Sequence, residues 1–553
     1  MIADTSCKDW ESRIVKRESL IPAPPMFPDE AQAAWDICGG LVLVDVAGQP
    51  TIKEASLPWV EDFVRAVFGS YDAEAGKRHI NEFLLMVSKK NAKSTIAAGI
   101  MLTALLMNWR QSAELLILSP TKEIADNSYK PIRDMIKADP ELSAMMKVQD
   151  YFRLVTHTQT GATLKVVAAD SDTVSGKKAS FVFVDELHEF GKQAKASNML
   201  LEATGGLASR PEGFVIYATT QSAEPPAGVF KAKLDYARKV RDGKVTDNRF
   251  LPVIYEFPAA MLEAGAHKDL SNAYVTNPNW GASVDIDRIT QLHSQAQEGG
   301  EAAFKEFLAK HLNVEIGLNL RSDRWAGADF WEQQGVEAGL TLDQLLDRSE
   351  VVDVGIDGGG LDDLLGLAVI GRDKVTRNWL LWTHAYAHPS VLERRKEIAP
   401  RLQDFARDGN LTMVKVIGDD VFQVAEIVAR CEASGLLDKI GADPSGLGGI
   451  LEGLSEAGVP EEKVIGITQG WKMYGAIKTA ERKLAEGGMV HGGQPMMAWC
   501  VGNAKVEPRG NAVIITKQAA GTGKIDPLLA TFNAVTLMSL NPEAVGRSFW
   551  DTP

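Results

Sequence analysis

The sequence predicts an α/β fold made of two successive sheet domains joined by a less regular segment. Three observations predict it. From Leu57 onward, apolar runs of strand length alternate with helical stretches, the pattern of parallel βαβ units. One of those runs, 82–87, passes into a Lys-Ser pair and then an apolar helix. A second βα series opens at Val351 with Val-Val-Asp-Val-Gly-Ile-Asp. The expected boundaries are an N-terminal arm at 1–56, a first sheet domain at 57–245, a linker subdomain at 246–345, a second sheet domain at 346–542 and a C-terminal tail at 543–553.

Taken in order, the arm carries the Pro-rich segment Ile21-Pro-Ala-Pro-Pro-Met-Phe-Pro, which reads as extended. Strands of the first domain are expected at 82–87, 114–118, 163–167, 181–184 and 214–218. A basic amphipathic run follows at 231–244, and the linker holds the loop Asn277-Pro-Asn-Trp-Gly and a helix around 301–312. Strands of the second domain follow at 365–370, 379–385, 413–416, 439–442 and 464–467, with a last helix at 527–540.

The net charge of −14 is no global basic signature, so a nucleic-acid site must be a local basic groove on an acidic body. Cys7, Cys38, Cys431 and Cys500 are scattered, with no Cys-x-x-Cys pair, which argues against a zinc knuckle or a disulfide framework and fits a reducing cytoplasm. The first residues lack an apolar signal core. The longest apolar stretch, 96–107, falls short of the ~18 residues that suggest a membrane span.

The first strand leads into Ser88-Lys-Lys-Asn-Ala-Lys-Ser-Thr. A phosphate loop reads G-x-x-x-x-G-K-[ST]; Lys93 and Ser94 match, whereas Val87 and Ala92 occupy the two glycine positions. Phosphate binding needs inward N–H groups, a helix N-terminus and a cation. The candidate nucleotide-binding set is Lys89, Lys90, Asn91, Ala92, Lys93, Ser94, Thr95 and Asp185. Lys93 would reach the β- and γ-phosphates of ATP, and the Ser94 hydroxyl would ligate Mg²⁺. Ala92 is tolerable there if its φ stays negative. Phe181-Val-Phe-Val reads as a buried parallel strand. Asp185 at its end would hold Mg²⁺, and Glu186 would orient and deprotonate the attacking water. A further strand ends in Thr219-Thr220-Gln221, suited to sensing the γ-phosphate. Arg210 precedes that strand and is a candidate for an arginine given to a neighbouring subunit, worth ~10³–10⁵ in rate for GTPases; its alternative is a solvated loop arginine. A lone Lys-Ser pair or Asp-Glu turn is commonplace, but their ordered combination is that of a P-loop, RecA/ASCE-like ATPase.

Two-metal nucleases hold their cations ~3.5–4 Å apart with several carboxylates. Asp357 ends the first strand of the second domain, Asp443 ends a later one, and Asp526 starts the last helix. Strand ends and a helix start can converge on one point, the arrangement of an RNase H-like nuclease, with Mg²⁺ or Mn²⁺ as the metal. Asp362 and Asp363 lie on the turn Gly358-Gly-Gly-Leu-Asp-Asp, where turn chemistry is preferred over a fourth ligand at Asp363. Asp353 is assigned to an exposed strand position. Lys472, Lys478, Arg482 and Lys483 are candidates for phosphate contacts, and His491 is read as an ordinary loop histidine.

This series resembles the large terminase subunit of tailed double-stranded DNA phages, over about 57–538. Ser88-Lys-Lys-Asn-Ala-Lys-Ser is similar to the family's variant Walker A, Val184-Asp-Glu-Leu-His to its Walker B and Ala218-Thr-Thr to its coupling motif. Leu57-Pro-Trp is similar to its opening motif, and Gly355-Ile-Asp, Asp443-Pro, Gln469-Gly and Lys524-Ile-Asp follow in the order of its nuclease. Lys89 stands for the usual arginine, Ala92 for glycine, and Val60 for the glutamine that often follows the tryptophan. The resemblance implies an ATP-driven motor subunit that translocates double-stranded DNA into procapsids and cuts concatemers. It further implies a homo-oligomeric ring on the portal protein, delivery of DNA by a small terminase subunit, and action in the host cytoplasm away from membranes. A helicase-nuclease of DNA repair or recombination is the alternative, and an interaction protein with decayed sites is a third reading.

Overall fold

The computed structural model describes residues 4–169, 178–193, 196–316, 325–335, 339–444, 447–509, 512–515 and 523–544. The chain divides into two compact units, Met1–Ile316 and Gly317–Pro553.

Among the described residues, the first unit carries an eight-stranded sheet. Its strands are β1 (Glu82–Met86), β2 (Glu114–Ser119), β3 (Met146–Gln149), β4 (Leu154–His157), β5 (Thr163–Ala168), β6 (Ala179–Val184), β7 (Phe214–Thr219) and β8 (Phe250–Ile254). They lie in the order β8-β1-β7-β6-β2-β5-β4-β3. The run from β8 to β5 is parallel, and β4 and β3 are added antiparallel. Continuous apolar sequences suit strands covered on both faces. On one face Leu84, Met86, Val182, Val184 and Val215 pack with Phe230, Leu234 and Ala237, a helical spacing on Gly228–Arg241. On the other, Phe83 and Phe214 meet Phe63 and Phe68 edge-on.

Helices Trp10–Lys16 and Pro28–Gly40 flank the Pro-rich segment of the N-terminal arm. Trp10 is buried under the Arg241 guanidinium, 3.8 Å from the ring centroid. Two expectations about the first unit are corrected. The sheet does not stop at 245, because β8 pairs with β1. Pro252 hides that strand in the sequence, but an edge strand tolerates proline. Finally, 246–345 is no separate subdomain. Residues up to Ile316 belong to the first unit, and Trp325 and Trp331 are fully buried in the core of the second. The expected tail at 543–553 lies, beyond residue 544, outside the described residues.

The second unit has strands β9 (Ser349–Gly358), β10 (Leu365–Asp373), β11 (Trp379–Ala387), β12 (Leu411–Met413), β13 (Leu437–Ala442), β14 (Val464–Gly466) and β15 (Met489–His491). Among the described residues their order is β12-β11-β10-β9-β13-β14, with β15 also on β11. β9, β10 and β11 form an antiparallel meander, and the other strands join in parallel. The closing helix Asp526–Met538 lies directly on this sheet. A Cβ at Gly355 would stand 1.9 Å from Ala530 O, so only glycine lets the helix backbone approach β9 this closely. Asn533 Nδ2 donates to Ile356 O at 2.8 Å and ties the two together. Asp353 shares that face of β9 and is fully buried, against the exposed position expected. It accepts from Lys439 N at 3.1 Å, and burial, then the Asp438 charge, pushes its carboxyl up to about 7.

Candidate nucleotide and nuclease sites

In the first unit, β1, β6 and β7 run parallel, so Met86, Val184 and Thr219 end at the same edge of the sheet. The loop after β1 climbs through Lys89 and Lys90, both exposed, to helix Lys93–Leu106. Ala92 caps that helix with φ 59° and ψ 23°, and Lys90 has φ 75°. The condition that Ala92 keep a negative φ is therefore not met. The loop takes the left-handed turn that glycine would make easily, at about 1–2 kcal/mol per non-glycine residue. Ala92→Gly is expected to raise the melting temperature of the first unit slightly. Relief of that strain exceeds the ~0.4–1 kcal/mol of added unfolded-chain freedom. Thermal denaturation checks this, and a lowered midpoint would contradict the left-handed loop.

The strained loop is braced from behind. Asn91 is buried and donates to Ser88 O at 3.0 Å and to Asn277 Oδ1 at 2.8 Å. Asn279 N donates to Asn91 Oδ1 at 3.0 Å, Ser283 Oγ to Lys90 O at 2.9 Å, and Lys89 N to Lys310 O at 2.7 Å. These partners come from the segment read in the sequence as a linker; its Asn-Pro-Asn loop was visible, but not what it touches.

Lys93 is buried, its Nζ 3.4 Å from Val87 O at the strand end. Ser94 and Thr95 are half-buried on the first turn. Ser94 Oγ stands 3.4 Å from Asp185 Oδ2, which also accepts from Ser128 Oγ at 2.7 Å. Burial first, and then the Glu186 charge, raises the Asp185 carboxyl. Asp185 Oδ1 is buried with no hydrogen-bond partner among the described residues. A hydroxyl beside a carboxylate with an unused buried oxygen fits a hard divalent cation.

Glu186 has φ 53° and begins the short helix Leu187–Phe190. His188 was not singled out in the sequence, yet it stands beside Glu186, Thr219 and Glu189. Its Nδ1 is 3.4 Å from Glu186 Oε2 and 3.3 Å from Thr219 Oγ1, and its Nε2 is 3.1 Å from Glu189 Oε1. That last contact, foremost, holds the Glu189 carboxyl down to about 2. Gln221, beyond Thr219 and Thr220, is buried, and its N donates to Asn313 Oδ1 at 3.0 Å. Arg210 is not brought to this site. It precedes the first residue of β7, while the phosphate loop lies at the other end of that six-residue strand, ~20 Å away at ~3.3 Å per residue.

In the second unit, Asp357 and Asp526 are buried and Asp443 is half-buried. Ile356 pairs with Ala442, so Asp357 and Asp443 follow neighbouring positions of β9 and β13. A Cβ at Gly358, where φ is +90°, would stand 2.7 Å from Asp526 Oδ1, which sets the Asp526 carboxylate against the end of β9. Gln469 Nε2 donates to Asp357 Oδ1. The three aspartates thus share one end of the sheet but do not close on a common point. Among the described residues no group of three or more His, Cys, Asp or Glu side chains could hold a metal ion as it stands. The chemistry of the three aspartates, all carboxyl oxygen donors with two of the groups buried, fits a hard divalent cation.

The neighbouring side chains are engaged otherwise. Asp363 Oδ1 accepts from the buried Lys524 Nζ at 2.7 Å, and Asp362 pairs with Arg395 at 3.0 Å. Lys524, missed in the sequence as anything but part of a motif, clamps the Gly-rich turn. His491 is a core residue rather than a loop histidine. It stacks on Trp331 at 3.8 Å and contacts Trp331 O at 2.8 Å, and burial lowers it to about 4. Lys478, Arg482 and Lys483 each face a glutamate of their own helical segment, while exposed Lys472 lies over Trp471.

A parallel sheet with a phosphate loop and an Asp-Glu strand end, followed by a mixed sheet with carboxylates at one end, defines a P-loop ATPase joined to an RNase H-like nuclease. The chain belongs to the terminase large subunit family: the family's ATPase domain matches residues 58–232 and its endonuclease domain residues 244–541. It is similar to the large terminase subunit of Enterobacteria phage HK97, 23% identical over 500 residues and covering 88% of each chain. It is also similar to the terminase large subunit of Lactococcus phage p2, 22% identical over 481 residues, 83% of this chain and 82% of that one. The crystal structure of the HK97 large terminase aligns with a TM-score of 0.49 at 19% identity, over 92% of this chain and 99% of that one. The chain is accordingly an ATPase and endonuclease of a DNA-packaging motor, using nucleotide and divalent metal, with DNA and the packaging machinery as partners. The helicase-nuclease reading is not favoured. Among the described residues no helix is long and apolar enough to cross a membrane.

Proposed function

We propose that the first unit hydrolyses ATP with Mg²⁺ to move double-stranded DNA into procapsids, and that the second cuts the concatemer with Mg²⁺ or Mn²⁺. The observation that carries the first half is the meeting of Ser94 with Asp185 across the sheet edge, beside the buried Lys93. In this reading Lys89, Lys90, Asn91, Ala92, Lys93, Ser94 and Thr95 surround the phosphates, and Ser94 and Asp185 hold the metal. When bound, the metal neutralises charge on the phosphate oxygens. Glu186 orients the attacking water, and His188 stands beside both Glu186 and Thr219. Arg210, at the opposite end of β7 from its own loop, acts in a neighbour's site within a homo-oligomeric ring. Asp357, Asp443 and Asp526 hold the nuclease metal. The ring docks on the portal protein, receives DNA from a small terminase subunit and works in the host cytoplasm.

The test is a packaging assay with portal-bearing procapsids, small subunit, ATP and Mg²⁺. DNA should become protected from added nuclease, and shells without portal should protect none. A strand-displacement assay runs in parallel. Unwinding of short duplexes without any protected DNA would overturn the packaging reading.

A further inference from the structure

Trp471 is 66% exposed, the largest exposure of any tryptophan among the described residues. An indole carries a large apolar face, so one left in water has surface to give to a ligand. Its place in the fold says which ligand. β9, β13 and β14 run parallel, with Ile356 opposite Ala442 and Ala442 opposite Gly466. The chain therefore leaves β14 at the sheet end that carries Asp357 and Asp443. Just beyond, Gln469 reaches back past the end of β13 and donates to Asp357. Trp471 follows Gln469 by two residues, its Cα no more than ~7–8 Å away at ~3.8 Å per step. The indole thus stands at the rim of the nuclease end.

The turn that presents the ring is anchored. Gly470–Met473 form a short 3-10 turn that leads into helix Tyr474–Ala485. Met473 is buried in the core of the second unit with Ile477 and Ala480. Trp471 and Lys472 take outward positions, and Lys472 Nζ lies 5.8 Å from the indole centroid. An aromatic face beside a cation matches the two parts of a nucleotide: the ring stacks on a base and the ammonium meets a phosphate. In an intact duplex the faces of each base are covered by its neighbours. The phosphates are then open to Lys472, but no base face is open to Trp471. The indole gains a stacking partner only where base pairs have parted.

We propose that Trp471 stacks on an unpaired base beside the nuclease site, so that the endonuclease takes locally opened DNA in preference to intact duplex. The proposal rests on the reading of Asp357, Asp443 and Asp526 as the nuclease site, and it makes Trp471 a substrate-binding residue.

The test is equilibrium binding to the full chain, without divalent metal, of two duplexes of equal length. One is fully paired, and the other holds a short mismatched bubble with 2-aminopurine among its unpaired bases. Wild type should bind the bubble ~5–150-fold tighter, the worth of one stacked base, and should quench the 2-aminopurine. Trp471→Ala should erase the preference and the quenching and leave affinity for the paired duplex unchanged. Trp471→Phe, which keeps a ring, should retain part of both. Lys472→Ala should weaken binding of the two DNAs alike. No bubble preference in wild type, a preference that survives in Trp471→Ala, or equal weakening of both DNAs by Trp471→Ala overturns the proposal while sparing the aspartates. With Mg²⁺ added, wild-type cuts should fall beside the bubble. The same cuts made by Asp357→Ala would overturn the nuclease-site reading, and the proposal falls with it.

Discussion

Lys93→Ala is expected to lower DNA-stimulated ATP hydrolysis by at least ~10²–10³-fold, the effect of removing one preorganised charge-stabilising donor. Lys93 opens a helix at the end of a buried strand, with its ammonium held near Val87 O. Neighbouring Lys89 and Lys90 are exposed, so neither can replace it from the same depth. Glu186→Gln separates chemistry from binding. Its hydrolysis should fall by ~10²–10⁴, the usual contribution of a general base, with nucleotide affinity retained. Circular dichroism and thermal midpoints of both variants exclude misfolding. Normal turnover in Lys93→Ala would end the assignment of this loop as the phosphate site.

Asp357→Ala should abolish cleavage of plasmid DNA with Mg²⁺ and with Mn²⁺ while leaving ATP hydrolysis within about twofold, as expected for sites built in separate compact units that share no residues. Asp357 and Asp526 are both buried at one end of the sheet. A cation bound there stabilises the folded unit through linkage, by about 2.7 kcal/mol at a hundred times its dissociation constant. Divalent metal should therefore raise the unfolding temperature of the second unit in wild type by several degrees, and should do so far less in Asp357→Asn. Cleavage that persists in Asp357→Ala, or an equal metal-dependent shift in both proteins, would remove Asp357 from the nuclease site.

Much of the nucleotide site was legible because its chemistry is written in short, contiguous stretches. Strand β1, the Lys-Ser pair and its helix, and the Asp-Glu end of β6 are local patterns of apolar runs and charges. The left-handed Ala92 was not legible. A glycine would have announced such a turn, whereas alanine adopts it only because Asn277, Asn279 and Ser283 hold the loop from behind. His188 was hidden for a similar reason: its partner Thr219 is distant in the chain and adjacent only through the pairing of β6 with β7.

In the second unit, the sequence alone located most of the strands along the chain and the closing helix, β15 being missed, since strand and helix periods are properties of the chain itself. Only the tertiary structure decided what the charged side chains face. Asp353 and Asp357 look equivalent in β9, yet Asp353 lies buried beside Lys439 N while Asp357 meets Gln469 at the sheet end. His491 became a core residue by stacking on Trp331. Burial and pairing depend on which distant segments the sheet brings together, and hydrophobic pattern along the chain carries no record of that choice.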